Sequence, residues 1–313
     1  MKIFLAPMEG VTDFLIRQLF TEVGGYNQCT TEFVRVTNQI VPDSIFYKFC
    51  PELHSEGKTL SGVPVFLQLL GGNPEMMAVN AARAAALGAP GIDLNFGCPA
   101  RTVNNHDGGA AILKNPHRVF DITSAVRAAV PPHIPVTVKM RLGFSHPEWA
   151  VEIAQAAETA RCDRLTIHAR TRQDGYLPPA HWNWLAKINL AVRVPLVANG
   201  EIWTREDYLR CYETCGIADV MIGRGAFIRP DLAWQICENR PPFTWSEIFS
   251  LVQKFISLAK NMGDGRYLRN RTKQWLRQMA RIHPEASALF EVVKSIESHD
   301  EFVRASSAPL DSI

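Results

Sequence analysis

Short apolar runs bounded by turn residues recur through the first 225 positions of the chain. They fall at 3–6, 30–34, 64–69, 91–94, 135–138, 164–167, 195–198 and 219–222. Runs of this length rich in β-branched residues read as strands. Most are continuous rather than alternating, which suits parallel strands covered on both faces. Between them, 74–87, 116–129, 148–160 and 204–215 carry helical spacing. Pro116 suits a first helical position, and Thr204 suits an N-cap. Eight strands alternating with helices predict a (β/α)8 TIM barrel, with a doubly wound sheet as the rival. The long stretch 38–61 predicts a helix and a surface loop over the barrel mouth.

After Pro241-Pro242 no strand pattern remains. Helical spacing runs through 245–262, 267–282 and 285–296. The chain therefore divides into an α/β barrel over 1–242 and a small all-helical domain over 243–313.

Composition narrows the function classes. A 313-residue chain, 47% hydrophobic and 20% charged, buries one large core and a small second unit. A net charge of +2 leaves nucleic-acid binding to local patches. The N-terminal apolar run stops at Pro7, too short for a signal segment, and no stretch reaches a membrane span. Seven scattered cysteines without framework spacing fit a reducing cytoplasm. Cys211 and Cys215 lie four apart with no second ligand pair, so no metal site is expected.

In a parallel barrel, the residues that follow the strands line the active-site face. Here they are Pro7-Met8-Glu9-Gly10, Glu32 to Arg35, Gln68, Asn95 with Cys98, Lys139 with Arg141, His168 with Arg170, Asn199-Gly200-Glu201 and Gly223-Arg224-Gly225. Glycines before two helices, with Arg224 beside them, suit a phosphate at the last two strands. Lys139, ending an apolar strand, needs an electron-rich partner unless it snorkels to solvent. Gln68 can meet an amide-edged heterocycle, and His168 a phosphate or ring edge. Pro7-Met8 sets a thioether beside a flat ring. Together these describe a flavin mononucleotide pocket. Cys98, mostly a thiol at neutral pH, would face the ring as a proton donor; an inert buried cysteine is the other possibility. Between Gln253 and Arg281 eight basic residues (Lys254, Lys260, Arg266, Arg269, Arg271, Lys273, Arg277 and Arg281) face only Asp264. Such a stripe suits RNA phosphates, or is a solvated helix face.

The motifs Pro7-Met8-Glu9-Gly10-Val11-Thr12-Asp13, Asn95-x-Gly97-Cys98-Pro99, Lys139-x-Arg141, His168-Ala169-Arg170-Thr171, Asn199-Gly200-Glu201 and Gly223-Arg224-Gly225 resemble those of the tRNA-dihydrouridine synthases. Three further stretches, 31–36, 200–203 and 273–276, resemble the bacterial C-type members, which act on U16 of tRNA. The resemblance implies an FMN barrel followed by a helical tRNA-binding domain; a protein that wraps one tRNA is expected to be a monomer. NADPH would reduce the flavin, hydride would pass to C6 of uridine, and Cys98 would protonate C5. It implies that Pro7, Met8, Glu9, Gln68, Lys139, His168, Asn199, Gly200, Glu201, Gly223 and Arg224 hold FMN. Asn95 and Arg141 would hold the uracil, and Arg35, Tyr176, Arg271 and Lys273 would touch tRNA. Ala169 stands where the family usually has glycine, and the loop 104–109 is unusually polar. Two alternatives stay open: an FMN barrel reductase of a small pyrimidine or enone, and a flavin-free RNA-binding scaffold.

Overall fold

The computed structural model describes residues 1–307. The last six positions of the helical assignment lie outside the described residues. The first half contains β1 (Ile3–Leu5), α1 (Phe14–Val23), β2 (Gln28–Thr30), β3 (Val34–Arg35), α2 (Asp43–Phe49), β4 (Val65–Leu70), α3 (Pro74–Ala86), β5 (Ile92–Phe96), α4 (Arg101–Asn104) and α5 (Pro116–Ala129). The barrel continues with β6 (Val136–Arg141), α6 (Ala150–Thr159), β7 (Arg164–His168), α7 (Trp182–Ala191), β8 (Leu196–Asn199), α8 (Arg205–Cys215) and β9 (Val220–Ile222). Every strand pairing is parallel, and the pairing of β2 with β4 closes the sheet. The result is the predicted eight-stave barrel rather than a doubly wound sheet.

The second stave is not the single run 30–34. It is built from β2 and β3 on the same edge of β4. Thr30 pairs with Phe66 and Val34 with Leu69, so four steps on one strand match three on the other. The extra residue forms a bulge. The hydroxyl of Thr31 accepts from Gln68 N at 3.0 Å, replacing a main-chain acceptor. Glu32 and Phe33 are thereby turned into the barrel mouth.

The strands are also not apolar on both faces. Ile92, Leu94 and Phe96, then Val136, Val138 and Met140, then Leu165 and Ile167 all join the large core outside the sheet. Their neighbours alternate inward as Asp93 and Asn95, Thr137, Lys139 and Arg141, and Arg164, Thr166 and His168. Register aligns these in rows, Gln68–Asp93–Thr137–Arg164 and Asn95–Lys139–Thr166. Lys139 therefore sits in a polar file and does not end an apolar strand. The runs 91–94 and 135–138 contain Asp93 and Thr137 but stop short of Asn95, Lys139 and Arg141, where the alternation becomes plain. Phe4, Ala6, Val197 and Met221 form a separate apolar cluster in the barrel, of which Ala6 and Met221 line the cavity. The Arg164 guanidinium lies 4.3 Å from the Phe4 ring and donates to Gln28 Oε1 at 2.8 Å.

The stretch 38–61 contains α2 and a 3₁₀ turn at Pro51–Ser55, but no residue of it lines the mouth. Buried Arg17 in α1 donates to Glu52 at 2.8 Å through both Nε and Nη2, and Asn80 of α3 accepts from Val41 N. These bonds hold the stretch against the barrel flank.

Two short helices, α9 (Arg224–Ile228) and α10 (Leu232–Glu238), lead into α11 (Trp245–Ala259), α12 (Arg266–Met279), α13 (Pro284–Val293) and α14 (His299–Ser307). Thr244 opens α11 with a capping box to Glu247. Trp275 of α12 is buried and donates from Nε1 to Phe227 O at 3.0 Å. Its ring meets Phe20 of α1 at 5.8 Å and Phe255 of α11 at 5.9 Å. Barrel and helices thus share one apolar core. Among the described residues no helix is long and apolar enough to cross a membrane.

Trp275→Ala is expected to lower unfolding free energy by about 3–5 kcal/mol. Urea melts followed by circular dichroism and by intrinsic fluorescence should coincide. Separate transitions would show that the shared core does not couple the two parts.

Candidate active site

A cavity of about 490 Å³ opens at the carboxyl ends of the staves, within the range of small-ligand sites. It is lined by Pro7, Met8, Glu9, Gln68, Asn95, Cys98, Lys139, Arg141, His168, Tyr176, Asn199, Gly200, Glu201, Gly223 and Arg224. Each stave contributes to it, which brings together residues as distant in sequence as Pro7 and Arg224.

Cys98 lies just beyond β5 and is 8% exposed. Asn95 Oδ1 accepts from Gly97 N and Cys98 N, both at 2.9 Å. Asn104 Nδ2 donates to Cys98 O at 3.0 Å, and Ala110 N donates to the same oxygen at 3.1 Å. A side chain at Gly109, where φ is +58°, would stand 2.9 Å from that carbonyl. The polar loop 104–109 thus serves to clamp the cysteine backbone. Burial pushes the Cys98 thiol above its ordinary value, Glu9 adds to the shift, and the Ala100 amide, Arg141 and Arg35 oppose it. Cys98 is therefore a protonated thiol at neutral pH, suited to acid rather than nucleophilic chemistry.

Asn95 also donates from Nδ2 to Gln68 Oε1 at 2.8 Å, and Gln68 Nε2 donates to buried Asp93 Oδ2 at 2.7 Å. Across the barrel, Lys139 Nζ donates to Asn199 Oδ1 at 3.2 Å, and Asn199 Nδ2 donates to Met221 O at 2.9 Å. Burial, then the nearby Arg141, pushes the Lys139 ammonium down to about 8, against the pull of Asp93. Arg141 donates from Nε to Gly97 O at 2.8 Å and from Nη1 to the carbonyls of Thr171 and Gly175.

The opposite wall is built around positive charge. Burial, then Arg141, Lys139, Arg170 and Arg224, pushes His168 well below its ordinary value, so the imidazole is neutral. Arg170 spans from Leu177 O to Glu201 Oε2, at 2.6 Å each. That ion pair, with Ala180 N on the same carboxylate oxygen, holds Glu201 at φ +63°. Gly200 has φ +116°, and a Cβ there would lie 2.9 Å from the His168 ring; only glycine fits. Gly223 is less constrained, with Met8 Sδ 3.4 Å from a built Cβ. Arg224 is sandwiched between the rings of Tyr176 and Trp203, 4.9 Å from each. Tyr176 also lies 5.2 Å from Arg141, and Trp203 lies 5.4 Å from Arg281. Guanidinium and aromatic faces therefore alternate along the rim, which suits cation–π contact.

Three predicted residues stand outside the cavity. Arg35 is exposed and reaches Thr102 O at 3.4 Å, near Cys98. Arg271 turns inward: it donates to Asp13 Oδ2 at 3.1 Å and to the carbonyls of Gly10 and Val11. Tyr267 OH donates to the same carboxylate at 2.7 Å. Lys273 Nζ donates to Lys294 O and Ile296 O, capping the end of α13. Within the basic stripe, Lys254 pairs with Glu22 and Arg266 with Asp264. The stripe is thus partly internal wiring. Sequence reasoning gave no site role to Asp93, Trp203 or α12's Gln274 and Gln278, of which all but Asp93 line the cavity. Asp93 was discoverable as a carboxylate inside an apolar run. The glutamines lie four apart on one helical face.

The dihydrouridine synthase (Dus) family model matches residues 4–312. The tRNA-dihydrouridine(16) synthase of Pseudomonas syringae pv. tomato is 48% identical over 304 residues, covering 94% of each chain. The enzyme of the same name from Vibrio parahaemolyticus is 46% identical over 296 residues, covering 94% of this chain and 92% of its own. Among solved structures, a variant of NCR from Zymomonas mobilis superposes with a TM-score of 0.54 at 17% identity, over 78% of this chain and 88% of that one. That last likeness is one of fold. With nearly the whole length matched, and at close to half identity to two relatives, the chain belongs to the dihydrouridine synthase family.

Proposed function

We propose that this chain reduces a uridine of tRNA, U16, to 5,6-dihydrouridine, using FMN as cofactor and NADPH as reductant. The observation that carries this is Cys98, a protonated thiol pinned by its backbone at the wall of a cationic cavity. The printed names of the relatives supply the position of the uridine.

Pro7, Met8, Glu9, Gln68, Lys139, His168, Asn199, Gly200, Glu201, Gly223 and Arg224 would hold FMN. The fit rests on donor chemistry. Lys139 and Arg224 offer positive charge to an anionic group, and Gly200 gives close backbone approach beside a neutral His168. Bound there, the flavin would supply the hydride for reduction of the base. Asn95 and Arg141 hold the uracil, Tyr176 touches the tRNA, and Cys98 donates its proton to C5. The base must leave its stack to reach so recessed a thiol. Residues 1–242 form the catalytic domain and 243–313 the tRNA-binding domain. There the exposed Lys260, Arg277 and Arg281 meet phosphates, with Arg35 at the mouth. Arg271 and Lys273 act on tRNA by fixing the loop 10–13 and the end of α13 that face it. The enzyme works as a monomer in the cytoplasm.

Mapping dihydrouridine in tRNA from cells with and without the gene tests the assignment. Loss at U16 alone is expected; loss at a different uridine would move the site, and no loss would overturn the reaction. Cys98→Ala should leave flavin reduction by NADPH intact and slow uridine reduction by about 10²–10⁴-fold. An unchanged rate would remove the acid role from Cys98. Lys139 is charged below about 8 and discharges above it, so FMN affinity should fall as pH rises through that value. Fluorescence titration of the flavin-free protein should show this limb, and Lys139→Met should lack it.

A further inference from the structure

One buried group takes no part in the chemistry above, yet is linked by hydrogen bonds to the residue that does. Asp93 is 2% exposed and lies in the barrel interior one layer below Asn95. Its Oδ1 accepts from Thr137 Oγ1 at 2.5 Å and its Oδ2 from Gln68 Nε2 at 2.7 Å. Gln68 Oε1 accepts from Asn95 Nδ2 at 2.8 Å, and Asn95 Oδ1 accepts from the amides of Gly97 and Cys98.

Each amide side chain in this file has a donor end and an acceptor end, and either end fits the same space. The two ends of the file are not symmetrical. At the top, two backbone N–H groups demand an oxygen from Asn95. At the bottom, the carboxylate can only accept, so it demands a nitrogen from Gln68. Both demands agree on one orientation for both amides. Burial raises the Asp93 carboxyl above its ordinary value, while the bonds from Gln68 and Thr137 and the charges of Arg164 and Lys139 favour the carboxylate; it is as the carboxylate that Asp93 dictates the Gln68 orientation. An amide orientation enforced from both ends resists inversion, which would leave two N–H groups facing a third donor in a buried place.

We infer that Asp93 is a positioning residue for Cys98, fixing the direction of an Asp93–Gln68–Asn95 relay that holds the Gly97-Cys98 backbone in place. The assignment of Cys98 as the acid rests on the function proposed above; the relay itself does not.

The relay predicts that the effect of one substitution reverses with its background. Asp93→Asn, alone, gives the lower end of the file both a donor and an acceptor, and the enforced direction is lost. Gln68→Glu, alone, sets two carboxylates against each other. In the double variant Asp93→Asn, Gln68→Glu, the introduced amide donates to one oxygen of the introduced carboxylate. The other oxygen of that carboxylate accepts from Asn95 Nδ2, so Asn95 keeps its orientation without the repulsion of two facing carboxylates. Asp93→Asn is therefore harmful when Gln68 is native and helpful when Gln68→Glu is already present. Both members of the second comparison carry the introduced carboxylate in the flavin site, so each rate is taken per flavin actually bound.

Two readouts on the flavin-loaded protein test this. The first is the rate at which iodoacetamide alkylates Cys98, located by peptide mass mapping. The second is the single-turnover rate of uridine reduction in tRNA. Asp93→Asn should raise alkylation several-fold and lower uridine reduction about tenfold, the scale of one lost buried hydrogen bond. Adding Asp93→Asn to Gln68→Glu should move both in the opposite direction. If Asp93→Asn has no effect beside native Gln68, Asp93 is only a packing or charge element and the relay is wrong, even where the same change relieves the two facing carboxylates of Gln68→Glu; the same sign in both backgrounds also overturns the relay. If alkylation reverses but uridine reduction does not, the relay stands and Cys98 is not the acid.

Discussion

Charge sealed inside a closed sheet has to be satisfied by other groups sealed there with it. That constraint organises this molecule. Asp93, Lys139, Arg141, Arg164 and His168 all point into the barrel, where an unpaired ion costs several kcal/mol. The answer is a polar interior in which these groups draw partners from their own row, from neighbouring staves and from the loops above. Asp93 takes Gln68 and Thr137, Lys139 takes Asn199, and Arg141 takes main-chain carbonyls. The outward face of the same strands is left wholly apolar, and the helices pack there. Strand alternation thus does two jobs in one element: it builds the core outside and the chemical site inside.

The helical region completes the mouth rather than merely following the barrel. Trp275 ties α12 to α1 and α9, and Arg271 ties it to the loop after β1. Gln274 and Gln278 on the same helix then line the cavity. Residues three or four apart on α12 therefore divide the work between holding the helix in place and facing the ligand. This also explains why a cationic stripe in the sequence is not a uniform RNA surface. Some of its charges are bound to the protein itself.

Much of this was legible in one dimension. The count and spacing of the apolar runs indicated the barrel, and the residues after those runs do converge on one cavity. Three things were not legible. The second stave's break leaves no sign in composition, because Thr31 keeps the pattern while its hydroxyl replaces a backbone group. The polar interior was masked by ending β5 and β6 too early, before Asn95, Lys139 and Arg141. The roles of Arg271 and Lys273 depend on partners 261 and 21 positions away, and spacing along a helix carries no information about those.

The bulge in the second stave bears on how such an enzyme diversifies. A closed cylinder of strands behaves as a lattice with fixed shear, and a residue added to one stave would ordinarily slide every side chain above it to the wrong face. Between Thr30 and Val34 the added residue is absorbed locally, much as a dislocation ends inside a crystal. The lattice below it stays in register while the rim above gains its own freedom. Glu32 and Phe33 sit in that decoupled rim. A substitution at either position would change the contacts made at the mouth without re-indexing the barrel underneath.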